Sequence, residues 1–220
     1  FAQNHDQVGN RAIGDRLTNH LNFEQLKLAA ATVLLSPYVP LLFMGEEYGE
    51  HNPFPFFGDF GDAQLVDAIR KGRAAEFKAF HNDMELPDPM SPQTFESAVL
   101  SWNTGEEPGA TLLQLYRSLI RFRQTRPALQ GRTRDTMIVF PATGDTLPFE
   151  RKIINDHLFV WLHFSSQPVS LDNITGSYLH KVFDTADLQW KGPGNGPQSD
   201  IVPGQAIHIA PHSAVVFEKK

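Results

Sequence analysis

The residues best suited to chemistry are His5 and Asp6, which place an imidazole beside a carboxylate near the start of the 220-residue chain. They belong to the polar segment Gln3–Arg11, which we interpret as the tip of a β-strand. Hydrogen bonds and the positive charge of Arg11 could keep the Asp6 carboxylate ionised. In the plainer alternative, Asp6 caps a helix or turn and His5 is a structural histidine. A second acidic tip later in the chain favours a catalytic role for Asp6.

That second tip is formed by Glu46 and Glu47, which follow the apolar run Val39–Met44. The run predicts a buried parallel strand. Neighbouring side chains of an extended chain point to opposite sides, so we expect only one of the two carboxylates to face a cleft. Glu47, with Tyr48 after it, is the expected substrate contact, and Glu46 the expected salt-bridge or capping residue. A purely structural role for Glu47 is the alternative.

A buried helix is predicted between the two tips, over Phe23–Ser36, because this segment is apolar nearly all round. Asn22 and Gln25 have the spacing of a capping box at its start, and Pro37 follows its end. The order strand, polar tip, helix, strand, acidic tip is the repeat of a (β/α) barrel, whose active sites lie at the carboxyl ends of the strands. Because this order starts at the first residues, we expect the chain to begin within the barrel.

The second half of the chain changes from helical to β-like spacing. Helices are predicted over Ala63–Phe80 and Thr111–Arg126, and short apolar runs separated by turns follow after about Arg132. These runs predict strands at Met137–Phe140, Phe149–Ile154, His157–Phe164, Gln167–Leu171, Lys181–Phe183, Gln205–Ile209 and Ala214–Glu218. Short strands at this spacing indicate a small antiparallel sandwich. We therefore predict a barrel part over residues 1–131 and an all-β sandwich domain over residues 132–220.

Composition limits the kinds of molecule that we expect this chain to bind. The formal net charge is -6 without a cluster of Lys or Arg, so we expect no nucleic acid partner. The chain has no cysteine, which allows a reducing compartment, and a cytoplasmic location is expected. No apolar stretch reaches the length of a membrane span, so no membrane partner is expected. We expect no metal and no cofactor, because neither a ligand-spaced His and carboxylate cluster nor a phosphate loop is present.

Several segments resemble one family of carbohydrate-active enzymes. Asn4-His5-Asp6 resembles the motif at the seventh barrel strand of the α-amylase clan of glycoside hydrolases. Longer segments resemble the maltooligosyltrehalose trehalohydrolase family of that clan, namely His5–Arg11, Phe43–Gly49, Pro53–Phe60, Arg70–Phe77, Pro87–Trp102, Asp184–Asp187 and Pro211–Val216. The resemblance implies an α/β chain that contains the last two strands and helices of a (β/α)8 TIM barrel, followed by the antiparallel sandwich.

The resemblance also implies a reaction. It is the retaining hydrolysis of the α-1,4-glucosidic bond between a maltooligosyl chain and a terminal trehalose, which uses a nucleophile and an acid/base carboxyl. Asp6 matches a third carboxylate, which binds the sugar at the cleavage point and stabilises the oxocarbenium-like transition state, and His5 would hydrogen-bond the same sugar. The nucleophile and the acid/base belong to the fourth and fifth strands, which we expect to precede residue 1. This chain alone is therefore expected to be inactive and to need the N-terminal part of the same barrel.

Further substrate contacts are expected from Gln7, Arg11, Glu47, Tyr48 and Asp59, with maltooligosyl trehalose or a related α-glucan as the ligand. Asp59 lies in a loop over residues 51–61 that is dense in Pro, Gly and Phe. Its phenylalanines could stack on sugar rings, but we favour a small core of the loop itself for most of them.

Two alternatives stay open. An α-1,4-glucan branching enzyme shares the Asn-His-Asp and Phe-Met-Gly-like segments, although Glu46–Gly49 and the Phe-rich loop argue against it. A non-catalytic carbohydrate-binding module would use the sandwich, whose Trp161 and Trp190 could contact sugar. A tryptophan buried in the sandwich core is the commoner explanation.

Overall fold

The computed structural model describes residues 1–78, 86–131 and 133–220. The described helices are α1 (His5–Gly9), α2 (Phe23–Leu35), α3 (Ala63–Lys78), α4 (Pro92–Ser97), α5 (Gly109–Thr125) and α6 (Pro127–Gln130), with short 3₁₀ helices at Leu17–Asn19, Glu46–Tyr48, Arg134–Thr136 and Leu188–Trp190. The strands are β1 (Met137–Val139), β2 (Thr146–Ile153), β3 (Asp156–His163), β4 (Val169–Asp172), β5 (Leu179–Asp184), β6 (Asp200–Ile201), β7 (Ala206–Ile209) and β8 (Ser213–Lys219). The chain divides into two compact units, one formed mainly by Gln3–His20 with Leu42–Asn103 and the other by Leu21–Leu41 with Thr104–Lys220.

The first unit contains α1, α3 and α4 and long irregular segments between them. The prediction of a strand over Val39–Met44, whose first three residues belong to the second unit, is wrong, because residues 39–43 have no regular structure and residues 44–45 form a turn. Residues 1–4, where a strand end was expected, are likewise irregular. The physical reason is pairing, since a parallel strand exists only beside a strand that completes its hydrogen bonds, and no described residue pairs with either segment.

The second unit is built on an antiparallel sheet with the strand order β1-β2-β3-β8-β5-β6 and a smaller sheet formed by β4 and β7. Phe159 and Trp161 of β3 lie opposite Phe217 and Val215 of β8 and share a buried core with Ile207 of β7. This arrangement confirms the predicted antiparallel β domain. Each of the seven predicted runs overlaps one observed strand, and only the two-residue β6 was missed.

Helices α2 and α5 also belong to the second unit. The predicted capping box of α2 is confirmed, because Asn22 accepts from Gln25 N–H at 3.0 Å and Gln25 accepts from Asn22 N–H at 2.9 Å. At the other end, Arg123 of α5 donates to the carbonyl oxygens of Leu34 and Ser36 at 2.6 and 2.7 Å. A guanidinium there satisfies carbonyls that have no partner within the helix and opposes the helix dipole.

Trp190 and the domain boundary are the remaining sequence predictions that concern the fold. Trp190 lies in a 3₁₀ helix and not in a strand, and it is buried against Phe183 with the ring centroids 5.9 Å apart. The end of the predicted helix Ala63–Phe80, at residues 79–80, and the boundary residue 132 lie outside the described residues. The division into domains at residues 131 and 132 stays a prediction.

Candidate active site

His5 and Asp6 lie in the first turn of α1 and not at a strand end. Asn4 is the N-cap of this helix, with its side-chain oxygen accepting from Gln7 N–H at 2.8 Å. The capping bond is therefore made by Asn4, which leaves the Asp6 carboxylate free of that task. The Asp6 side chain is 75% exposed and its Oδ1 lies 3.3 Å from Nε2 of the 71% exposed His5. The two groups form an accessible imidazole and carboxylate pair.

Buried neighbours hold α1 in place within the first unit. Val8 and Gly9 of this helix are buried, whereas Gln7 is exposed. Gln3, just before the helix, is 4% exposed and accepts from Leu17 N–H at 3.2 Å. The polar tip is thus supported by a buried amide, while its predicted contact residues remain accessible.

Arg11 pairs with Asp15 and not with Asp6. Its Nε and Nη2 donate to the two carboxylate oxygens of Asp15 at 2.8 and 2.6 Å, and His20 contacts the same carboxylate. The hydrogen bond from Arg11 is the main reason why the pKa of Asp15 falls to about 2. The opposing charge that the sequence suggested for Asp6 is consequently engaged by a carboxylate four residues after Arg11.

Glu46, Glu47 and Tyr48 form a 3₁₀ turn between two glycines with positive φ, Gly45 at 87° and Gly49 at 70°. A side chain at Gly45 would place its Cβ 2.7 Å from the Cβ of Glu50, so the turn requires glycine there. Within the pair of acids, Glu46 is buried and Glu47 is half-buried. Glu47 is therefore the more accessible carboxylate of the two.

Tyr48 is engaged internally. Its side chain is buried, its hydroxyl donates to Glu50 Oε2 at 2.9 Å and its ring stacks on Trp102 with centroids 6.4 Å apart. Burial, with help from the Glu50 carboxylate, raises the pKa of Tyr48 to about 12. The hydroxyl that the predicted substrate contact by Tyr48 would use is thus already bonded to Glu50 in the structure.

Glu50, which the sequence did not single out, organises this region. Its Oε1 accepts from the N–H groups of His51 and Asn52, both at 2.9 Å. Its Oε2 accepts from the Tyr48 hydroxyl at 2.9 Å, from Ser101 N–H at 2.6 Å and from the Ser101 hydroxyl at 2.9 Å. Burial by itself would raise the pKa of Glu50, but these hydrogen bonds outweigh it and lower the pKa. The side chain is 2% exposed, so this carboxylate is structural.

Arg16 carries a buried positive charge near the Glu50 carboxylate. It is 1% exposed, and its Nε and Nη1 donate to the carbonyl oxygens of Asn52 at 2.6 Å and Met44 at 2.7 Å. Its guanidinium also lies 4.9 Å from the centroid of the Phe43 ring. Burial lowers the pKa of Arg16, and the nearby carboxylate of Glu50 is the largest opposing influence. Arg16 therefore joins the segment after α1 to the loop around Glu50.

Two rings of the Phe-rich loop, Phe54 and Phe57, contact each other edge to face, and each also contacts a ring outside the loop, Phe43 or Phe95. A core of the loop itself for most of its four rings stays a prediction. Centroid distances are 5.3 Å from Phe43 to Phe54, 5.8 Å from Phe54 to Phe57 and 5.4 Å from Phe57 to Phe95. Phe60 is 40% exposed, and Asp59 beside it is exposed as well.

The described residues contain no group of three or more His, Asp or Glu that could hold a metal ion. Within the same ranges, no helix is both long and apolar enough to cross a membrane.

Comparison with known proteins identifies the relatives of this sequence. A malto-oligosyltrehalose trehalohydrolase from Rhizobium sp. (strain M-11) is 41% identical over 176 residues, which are 78% of this chain and 28% of that protein. The enzyme of the same name from Saccharolobus solfataricus is 47% identical over 124 residues, 56% of this chain and 20% of that protein. This chain is a homologue of the malto-oligosyltrehalose trehalohydrolases. It matches the C-terminal part of these enzymes and spans less than a third of their length.

Solved structures agree with this relationship. A crystal structure of a Salmonella typhimurium protein described as a candidate α-amylase matches with a TM-score of 0.79 and 36% identity, over 99% of this chain and 34% of that one. An α-amylase from H. orenii matches with a TM-score of 0.61 at 18% identity, over 99% of this chain and 39% of that one, and shows the fold alone. No family model matches the sequence. The α-amylase-type fold predicted from the sequence is thereby confirmed.

Proposed function

We propose that this chain is part of a retaining glycoside hydrolase that cleaves the α-1,4-glucosidic bond next to the terminal trehalose of a maltooligosyl trehalose and releases trehalose. The observation that carries the proposal is the identity of 39 to 47% to trehalohydrolases from several organisms. The accessible His5 and Asp6 pair, which occurs in the segment that resembles the clan's seventh-strand motif, supports it.

Asp6 is proposed as the carboxylate that assists the double displacement. Retaining glycosidases place a nucleophile and an acid/base close to the scissile bond and pass through an oxocarbenium-like transition state. The Asp6 carboxylate would accept hydrogen bonds from hydroxyls of the sugar at the cleavage point, and its charge would oppose the developing positive charge. We assign the nucleophile and the acid/base to barrel strands that precede this motif in the family.

His5 would hydrogen-bond the same sugar, since its Nε2 lies 3.3 Å from the Asp6 carboxylate and its ring is largely exposed. Gln7, Glu47 and Asp59 are proposed as further contacts, because each lies at the surface or is only half-buried. Arg11 would act mainly through Asp15, to which it is bound. A cytoplasmic location stays a prediction.

The test is the product pattern of an intact enzyme that contains this chain. Maltotriosyl trehalose and maltopentaose are offered separately, trehalose is quantified by chromatography, and the anomer of the released maltotriose is followed by proton NMR. We expect fast trehalose release from the first substrate, with α-maltotriose formed first because the mechanism retains configuration. New α-1,6 branches on a longer glucan would instead assign the chain to a branching enzyme.

A further inference from the structure

Residues 192–198 of the second unit form an irregular loop that contains Asn195 followed by Gly196. No other asparagine in the sequence precedes a glycine. The Asn195 side chain is exposed, so water reaches its amide. Just before it, Gly194 N–H donates to the carbonyl oxygen of Ala186 at 2.9 Å, which holds the loop against the residues that follow β5.

An exposed asparagine followed by glycine can cyclise on its own backbone. The Gly196 nitrogen attacks Cγ of the Asn195 amide, and the new N–C bond expels ammonia, which carries away the proton of the attacking nitrogen. Water then opens the succinimide ring at either carbonyl, which leaves aspartate or isoaspartate at position 195. Gly196 favours the attack because it has no Cβ to crowd it. Among the described residues, none accepts a hydrogen bond from the Gly196 N–H.

Gly196 also packs directly on a buried carboxylate. A Cβ on Gly196 would lie 2.2 Å from Oδ2 of Asp184, so the contact has no room for one more carbon. Asp184 is buried, its Oδ1 accepts from Ala186 N–H at 2.8 Å, and its Oδ2 accepts from Lys181 Nζ at 3.2 Å. Isoaspartate at position 195 inserts a CH₂ group into the main chain immediately before this contact. The loop or the Asp184 carboxylate must therefore move.

The residues after Asp184 support helix α2. Lys27 of that helix is fully buried, and its Nζ donates to the carbonyl oxygens of Thr185 at 2.8 Å and Trp190 at 3.0 Å. The same ammonium lies 2.9 Å from the Glu24 carboxylate. A buried ammonium needs such partners, because their loss leaves a charge without compensation. Movement at Asp184 therefore acts on the anchor of α2.

These contacts connect a slow chemical change in the loop to the support of a helix. We propose that Asn195 is a site of spontaneous deamidation and that its isoaspartyl product loosens the anchor of α2 on residues 185–190. The modification needs only water as a co-reactant. It concerns the stability of the second unit and is independent of the proposed reaction.

Peptide mapping by mass spectrometry locates the modification in the intact enzyme after storage at neutral and at mildly alkaline pH. Aspartate and isoaspartate should accumulate at Asn195 faster than at Asn155, which is also exposed but precedes Asp156. The rate should rise with hydroxide concentration, because the attacking nitrogen must lose its proton. Asn195→Gln should remain unmodified, since its longer side chain would have to close a larger ring. Equal deamidation at the two asparagines would overturn the proposed site.

Hydrogen exchange tests the structural consequence. The modified protein is separated by anion exchange and compared with Asn195→Asp, which carries the same added charge on a normal backbone. Exchange of Ala186 N–H should be about tenfold faster in the modified protein, as expected for loss of a hydrogen bond to a charged acceptor. Amides in the first two turns of α2 should also exchange faster. Asn195→Asp should stay near the wild type, because solvent screens an exposed charge.

Two results would overturn the link from Asn195 to α2. One is exchange at Ala186 and in α2 that is the same in the modified and the fresh protein. The other is an equal acceleration in Asn195→Asp, which would assign the effect to charge and not to the lengthened backbone.

Discussion

Replacement of Glu50 by Gln should loosen the loop that follows the acidic turn. The carboxylate accepts hydrogen bonds from Tyr48 and from Ser101 N–H and Oγ on its Oε2 and from two more N–H groups on its Oε1. An amide keeps one acceptor oxygen, and its NH₂ group would then face the donors of Tyr48 and Ser101. The Ser101 N–H cannot turn away, so at least one buried donor loses its partner.

The size of the destabilisation follows from the free-energy cost of burying a hydrogen-bond donor without an acceptor. A buried donor without a partner costs about 1–3 kcal/mol, and loss of hydrogen bonds to a charged acceptor adds about 1.5 kcal/mol or more. We therefore expect local opening of the loop to become easier by about 2–3 kcal/mol, equivalent to roughly 30- to 150-fold faster amide exchange. The amides of Asn52 and Ser101, which donate to Glu50, should show the largest change.

Hydrogen exchange on the intact enzyme measures this directly, and Glu96→Gln on the exposed surface of α4 is the matched control. Protection at Asn52 and Ser101 that stays within twofold of the wild type would refute the role assigned to Glu50.

The stability of this loop should also depend on pH. The folded-state pKa of Glu50 lies below its ordinary value of 4.5, so the stabilisation is complete above that pH and is lost as the pH falls through the folded-state pKa.

Three further predictions concern activity. Asp6→Asn in the intact enzyme should lower kcat by about a hundredfold to a thousandfold with much less change in substrate affinity, because one preorganised charge is removed; a loss of only a few-fold, or an equal loss in the surface control Asp67→Asn, would speak for a structural role. Mutation of Glu47 or Asp59 should reduce turnover of maltotriosyl trehalose more than that of maltopentaose, and equal losses would remove the loop from substrate discrimination. The 220-residue chain alone should release no trehalose, and release by a preparation free of longer enzyme would contradict the assignment of the other two carboxylates.

The elements that the sequence predicted well are those whose own residues specify them. The continuous apolar run at Leu158–Leu162 reads as a buried strand, and β3 lies there in the centre of the sheet. Asn22 and Gln25 cap α2 through bonds that reach only three residues along the chain. The prediction of a strand over Val39–Met44 was wrong for the opposite reason. A strand also needs a neighbouring strand that pairs with it, and the local sequence contains no information about that partner.

The candidate site shows the same division. Asp6 could be selected because its motif is contiguous, and its exposed position in α1 is compatible with the proposed role. Glu50 could not be selected, because its importance arises from Ser101, 51 residues further along the chain. The role of Arg16 likewise depends on carbonyl groups of Met44 and Asn52, 28 and 36 residues away. No spacing rule connects positions that only the folded chain brings together.

The central proposal is that this chain helps to cut one particular bond, and product stoichiometry tests it most directly. An intact enzyme that contains the chain is incubated with maltotriosyl trehalose, and all products are quantified by chromatography during the first few per cent of conversion. We predict trehalose and maltotriose in equal amounts, with slower cleavage of maltopentaose. Glucose, maltose and mixed fragments formed at similar rates from both substrates would contradict the proposal.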